Sequence, residues 1–440
     1  MEMRNAQMLV VHAAELIPCA GPVQGIRAAA LDRLEAIADG ALAIVDGRIA
    51  EVGTSASILS RYEAPEVIDA TGCLVSPAFV DSHSHLLHGG TRHEEYDAKV
   101  TGRREVPLDG GIRYTVRKTR EASDEALLAR ARADLDAMLV HGTATLEAKT
   151  GYGLEREQEM RLLRLTAGLR HTVQVVPTYL PLHVLPDGYG DRRAEYIAEA
   201  IAALPQAARL AVYCDVSCDP LCFTFEECLE VGEAARALGM RIRVHADQNG
   251  DGSGALLAAR LRASAADHLD YANDAGLRAM AEAGTVATLL PGVTLHMCEM
   301  TPRVAGAALR PAEKPFMPLL ARRAIDAGAV VSLSTDYNPG SCPTPSMQMV
   351  MQLAARLYRL SYAQIWNMCT LNAARALDLS HDRGSLEPGK RADVLLWSVP
   401  THGLAINRFG VNQVDTVIVE GRVVVREGRL LSSSTVGVNR

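Results

Sequence analysis

The chain has 440 residues, a net charge of −7, 48% hydrophobic residues and 22% charged residues. Such a length exceeds one small core and suits a barrel of ~250 residues with a smaller module, while mild acidity without a basic run argues against nucleic acid or an anionic membrane as partner. No apolar run approaches the ~18 residues of a membrane span, the N-terminus lacks the pattern of a signal peptide, and an odd, scattered set of nine cysteines reads as reduced thiols in a cytoplasmic protein.

Residues 1–75 carry short alternating apolar runs broken by glycine. Within them, Ala41–Gly53 reads as a hairpin turning at Asp46-Gly47. Short apolar strands then alternate with helical stretches such as Asp124–Arg132. Eight strand candidates end near His85, Lys149, Pro177, Asp215, His245, His268, Leu290 and Asp336. Repeated strand–helix units predict an α/β fold, a (β/α)8 TIM barrel over residues 76–384. The last stretch returns to strands: Ala392–Trp397, then a hairpin over Val414–Val425 turning at Glu420-Gly421. Segments 1–75 and 385–440 are therefore expected to form one composite β-sandwich domain.

Functional side chains of such barrels sit at the C-terminal strand ends. Here those ends carry His83, His85, His245, His268 and Asp336. Two histidines at i and i+2 on a strand point to one face, which can bring two imidazoles to one ion. A His-x-His pair alone is a weak signal. A third histidine and a carboxylate at later strand ends strengthen it and complete a nitrogen-rich shell that suits zinc, with iron second. The ion would acidify a water and polarise a carbonyl.

These residues lie in longer motifs: His83-Ser84-His85 with Gly89-Gly90-Thr91-Arg92; Gly110–Arg120; Glu147-Ala148-Lys149-Thr150-Gly151-Tyr152-Gly153; His245-Ala246-Asp247-Gln248; Ser264–Leu269; Leu289–Gly292; and Ser334–Ser341. Together they resemble the metal-dependent amidohydrolase superfamily and, within it, the imidazolonepropionase family, whose members open a five-membered imidazolone ring in histidine degradation. The resemblance implies one divalent metal ion per chain, held by His83, His85, His245 and Asp336, and a homodimer. It also implies attack on the ring carbonyl by water activated on the metal, with Asp336 and His268 as the acid–base pair and His245 in the catalytic set. Arg92 matches the arginine that binds the substrate carboxylate. Tyr152 and His183 match positions that contact the ring and tail. Asn338, Gly340 and Ser341 follow Asp336 in a turn that can offer donors. Gln248, where some relatives have glutamate, is assigned to substrate binding alone, because an amide is no base near neutral pH. The implied reaction converts 4-imidazolone-5-propanoate to N-formimidoyl-L-glutamate.

Three segments depart from the family pattern. Thr101–Asp109 is shorter and lacks a Ser-Tyr pair. Val293–Lys314 is longer, replaces an aromatic-rich segment and adds Arg303, Arg310 and Lys314. Pro181-Leu182 stands where Gly-Ala is common. Barrel loops set substrate choice, so a hydantoin- or thiohydantoin-propionate stays open, as does a ring deaminase, which Arg92 disfavours. A metal-binding scaffold without activity would leave His268 and Asp336 without a purpose. His296, Cys298 and Met300 alternate like ligands but fit a pocket loop better. Cys214, Cys218 and Cys222 are spaced too widely for the usual zinc pairs and read as buried thiols. Lys149 invites a carboxylated lysine bridging two metals, although relatives with its motif look mononuclear.

Overall fold

The computed structural model describes residues 3–101, 110–299 and 317–431. Arg303, Arg310, Lys314 and Met300, and nearly all of the 101–109 loop, lie outside the described residues.

Eight parallel strands follow one another in sequence order around a barrel: β1 Phe79–Asp81, β2 Thr143–Lys149, β3 Gln174–Leu182, β4 Tyr213–Cys218, β5 Arg241–Ala246, β6 Ala265–His268, β7 Val286–Leu289 and β8 Val331–Leu333. The (β/α)8 expectation holds. Past β8 the ring closes onto β1: Ser84 bridges Tyr337, Asp336 N–H donates to His83 O at 3.0 Å, and His85 N–H donates to Tyr337 O at 2.8 Å. Buried Asp81 fastens the seam by accepting from Thr335 N (3.1 Å), Thr335 Oγ1 (2.6 Å) and the Ser334 hydroxyl. Strand ends differ in detail from the sequence expectation. β1 stops at Asp81, and β3 runs past Pro177 because Thr178 and Tyr179 go on pairing with Tyr213 and Cys214.

The helices form for local reasons. Asp124–Val140 begins at Ser123, whose Oγ accepts from Ala126 N at 3.2 Å, and buries Leu127, Ala131, Leu135 and Met138. That spacing is one face of a helix, and the capping serine satisfies an otherwise orphaned N–H. Among the described residues no helix is long and apolar enough to cross a membrane.

Both expected hairpins are present. Asp46 and Gly47 (φ 50° and 73°) turn Ile37–Val45 into Arg48–Thr54, and Glu420 and Gly421 (φ 49° and 71°) turn Val414–Val419 into Arg422–Arg426. Two successive left-handed residues match the twist of the flanking strands. The chain ends share one sheet of nine strands, because Val394–Trp397 pairs antiparallel with Leu74–Pro77. Val394 and Leu396 point into a cluster with Met8, Val10 and Ile44, whereas Leu395 and Trp397 face the barrel core. Period-two alternation thus serves two cores at once.

Asp382 ties the N-terminal hairpin to the C-terminal segment, at 3.0 Å from Arg48 Nη1 and 2.7 Å from Arg391 Nε. Burial opposes its charge, but the two arginines prevail and hold its carboxyl down at about 2, from an ordinary 3.8. A depressed folded-state value stabilises the fold above the unfolded value and loses that contribution as pH falls through the folded one. Melting temperature should therefore drop between pH 4 and pH 2 less steeply in Asp382→Asn than in the parent, and equal slopes would discount this tie.

Candidate metal centre and active site

His83 and His85 stand just past β1, His245 on β5, His268 at the end of β6 and Asp336 just past β8. All five are buried. The ligand atoms of His83, His85 and Asp336 lie within 4.8 Å of one another, as do those of His83, His245 and His268. Asp336 Oδ1 is 3.3 Å from His83 Nε2 and 3.4 Å from His85 Nε2, yet neither Asp336 Oδ1 nor His83 Nε2 has a hydrogen-bond partner. His245 Nε2 is likewise buried and unpartnered. Such groups are costly to bury unsatisfied, and convergence on a cation removes the cost. The donor set therefore fits a divalent metal. His268 (φ 76°) and Asp336 (φ 50°) adopt the left-handed backbone that side chains usually avoid, a strain characteristic of functional positions.

Protonation states agree with ligation. Burial, aided by neighbouring positive charge, holds His83 and His85 well below the usual imidazole value, so both are neutral and can bind metal. Burial also lowers His268 strongly. Burial pushes Asp336 well above the usual carboxylate range, so its ionised form needs a cation beside it.

The far nitrogens of two candidate ligands are anchored below. His83 Nδ1 is 2.8 Å from Asp267 Oδ2, and His245 Nδ1 is 3.1 Å from Asp215 Oδ1. Carboxylates at Nδ1 fix the tautomer that presents Nε2. Sequence reasoning did not assign either aspartate, although Asp215 closes a strand and Asp267 precedes His268. Lys149 contacts Glu147 at 2.9 Å and Asp215 at 2.6 Å. A carbamate there would face carboxylates, so the bridging-lysine alternative fails on charge.

Above these groups opens a cavity of about 390 Å³ lined by His85, Arg92, Tyr152, His183, His245, Gln248, His268, Asp336, Asn338 and Ser341, among others. The structure thus gathers the sequence-predicted site residues around one cavity, with His83 beneath it and Gly340 behind Arg92. Tyr152 sits in a loop built on Glu159, whose carboxylate accepts from Gly151 N (2.9 Å), Gly153 N (2.6 Å) and Leu154 N (2.6 Å). Gly151 (φ 105°) requires glycine, and its carbonyl accepts from His183 Nδ1 at 2.8 Å. Burial lowers His183 to about 3 and raises Tyr152 far above the phenol range. The cavity wall therefore carries a neutral imidazole and an intact phenol donor.

The turn after Asp336 differs from the expectation. Gly340 N and Ser341 N both donate to Asn338 Oδ1 at 2.8 Å, and Asn338 Nδ2 donates to Asp336 O at 2.7 Å. Those donors shape the turn instead of standing free for a ligand. Arg92 is also engaged: Nε and Nη2 grip Glu95 at 2.9 and 2.7 Å, a bidentate pair that sequence reasoning missed. A Cβ on Gly340 would collide with Arg92 Nη1. Gly340→Ala should therefore push Arg92 aside and raise KM about 10- to 100-fold with little change in melting temperature; an unchanged KM would show that Arg92 has room to move.

His296 stacks on Tyr96 at 5.8 Å and reaches the cavity wall, but it does so from helix Pro291–Glu299 and not from the loop the sequence suggested. Among the described residues no candidate metal group contains a cysteine. Cys214, Cys218 and Cys228 are buried, and burial pushes the Cys222 thiol up to about 12.

Residues 74–424 match the amidohydrolase family. The imidazolonepropionase of Caldanaerobacter subterraneus subsp. tengcongensis is 40% identical over 88% of this chain and 91% of its own. That of Symbiobacterium thermophilum is 39% identical over 97% and 99%. An adenosine deaminase from Xanthomonas campestris with bound zinc has a similar fold, with a TM-score of 0.70 at 18% identity over 99% of this chain and 96% of its own. Guanine deaminase from E. coli gives 0.69 at 15% identity over 96% and 99%. Barrel, converging buried histidines and relatives agree: the chain belongs to the metal-dependent amidohydrolase family and, within it, to the imidazolonepropionases.

Proposed function

We propose that this protein hydrolyses 4-imidazolone-5-propanoate to N-formimidoyl-L-glutamate, using one divalent ion per chain, zinc first and iron second, held by His83, His85, His245 and Asp336. The observation that carries this reading is the meeting of three buried imidazoles, Asp336 and Arg92 at one cavity in a chain close to imidazolonepropionases. When bound, the ion supplies a Lewis acid that acidifies water and polarises the ring carbonyl.

The remaining work falls to side chains. Arg92 takes the propionate and thereby orients the ring. Tyr152, His183 and Gln248 line the cavity where the ring would lie. Asp336 takes the proton of the attacking water and returns it to the ring nitrogen as the C–N bond breaks. His268, neutral and beside His245, with ring centroids 5.1 Å apart, steadies the oxygen that gains charge. The division into a barrel over 76–384 and a terminal β module, a cytoplasmic location and a homodimer complete the reading. The eight free thiols among the described residues suit a reducing compartment.

A spectrophotometric comparison tests the substrate. Imidazolone propionate should be turned over with at least ~10²-fold higher kcat/KM than its hydantoin or thiohydantoin analogue. Preference for either analogue would reassign the ring and leave the metal chemistry standing.

A further inference from the structure

Five charged side chains lie beneath the candidate ligands, each at most 1% exposed: Glu147 and Lys149 on β2, Asp215 on β4, Arg243 on β5 and Asp267 on β6. Lys149 Nζ is 2.6 Å from Asp215 Oδ2, 2.9 Å from Glu147 Oε1 and 3.5 Å from Asp267 Oδ2. Asp215 turns its other oxygen to His245 Nδ1, and Asp267 Oδ2 also meets His83 Nδ1. Arg243 closes the far side, 2.9 and 3.1 Å from the two Asp267 oxygens, and donates to Ala376 O at 2.7 Å.

From this we infer that Lys149 is a positioning residue of the metal centre: its ammonium bridges Asp215 and Asp267 and so sets the orientation of His245 and His83 together. The inference rests on the reading that these two histidines hold the ion. Two buried carboxylates this close would repel each other without a cation between them. One would then turn away or take up a proton, and its histidine would lose the acceptor that fixes the ring. The cluster has two cations against three carboxylates, and the leftover negative charge complements a divalent ion above it. Lys149 thus acts on the metal from below, through its neighbours, and not as a ligand.

Zinc titration of the full-length, chelator-stripped protein against a competing chromophoric chelator tests this role. Lys149→Met should raise the zinc dissociation constant about 10- to 100-fold. The pair Lys149→Met with Glu147→Gln removes the bridge while keeping the net charge of the cluster, which protects folding. It should show the same weakening while the metal-free melting temperature stays near that of the parent, and the rise in melting temperature on adding zinc should shrink. A folded double variant with the parental zinc constant overturns the inference. His245→Ala, titrated alongside, separates the two levels: weaker zinc binding there with parental binding in the Lys149 variants rejects only the bridge, whereas parental binding in His245→Ala rejects the metal centre and the bridge with it.

Discussion

Replacing His245 by alanine should empty the metal centre and lower kcat/KM by at least ~10³-fold. His245 brings Nε2 from β5 to the candidate ligands that follow β1 and β8, with ring centroids 4.7 Å from His83 and 5.5 Å from His85. Its removal leaves a two-histidine, one-carboxylate set and deprives buried Asp215 of the imidazole it orients. Burial opposes ionisation of Asp215, but the charge of Lys149 and the hydrogen bond to His245 hold its carboxyl below the usual range, so the variant also loses one of the groups that keep it ionised. Metal analysis after gel filtration should find far less than one ion per chain, with near-parental circular dichroism because alanine fits any strand. One firmly held ion and parental turnover in His245→Ala would refute the ligand assignment.

Arg92→Ala should raise KM for an acidic ring substrate by ~10²-fold and leave kcat within a few-fold. A guanidinium that grips a remote carboxylate binds the ground state and the transition state alike, so its loss appears in KM. The effect is sharpened by Glu95. Its side chain is only 11% exposed and pairs with Arg92 at 2.7 Å, so Arg92→Ala leaves a carboxylate near the place where the substrate's own would bind. Arg92→Ala with Glu95→Gln should therefore recover part of the lost affinity. Uncharged ring amides should respond little to either change. Equal losses for charged and uncharged substrates would dissociate Arg92 from carboxylate recognition.

The barrel and most of its candidate ligands were legible because they rest on local pattern. His83, His85 and His245 fall at positions that strand alternation can place on the inner face, whereas His268 and Asp336 reach it through left-handed backbone (φ 76° and 50°) that alternation does not supply. Both hairpins were legible because Asp-Gly and Glu-Gly can supply two left-handed residues. The charged cluster was not, since Glu147, Lys149, Asp215, Arg243 and Asp267 come from four strands and become neighbours only when the barrel closes. Glu95 was missed for another reason: three residues after Arg92, on helix His93–Thr101, it resembles a solvated helical carboxylate until the fold turns Arg92 back onto it. Asn338 was legible as a residue near the candidate site, and it lines the cavity, but not as the acceptor that uses the turn's own N–H groups.

The most direct measurement follows the loss of 4-imidazolone-5-propanoate absorbance with protein stripped by a chelator and then titrated with zinc. Stripped protein should be inactive, activity should return linearly and stop rising near one equivalent per chain, and N-formimidoyl-L-glutamate should form in step. Undiminished turnover by the stripped protein, or an intact imidazolone ring after full zinc loading, would contradict metal-dependent opening of this ring at the His83, His85, His245 and Asp336 centre.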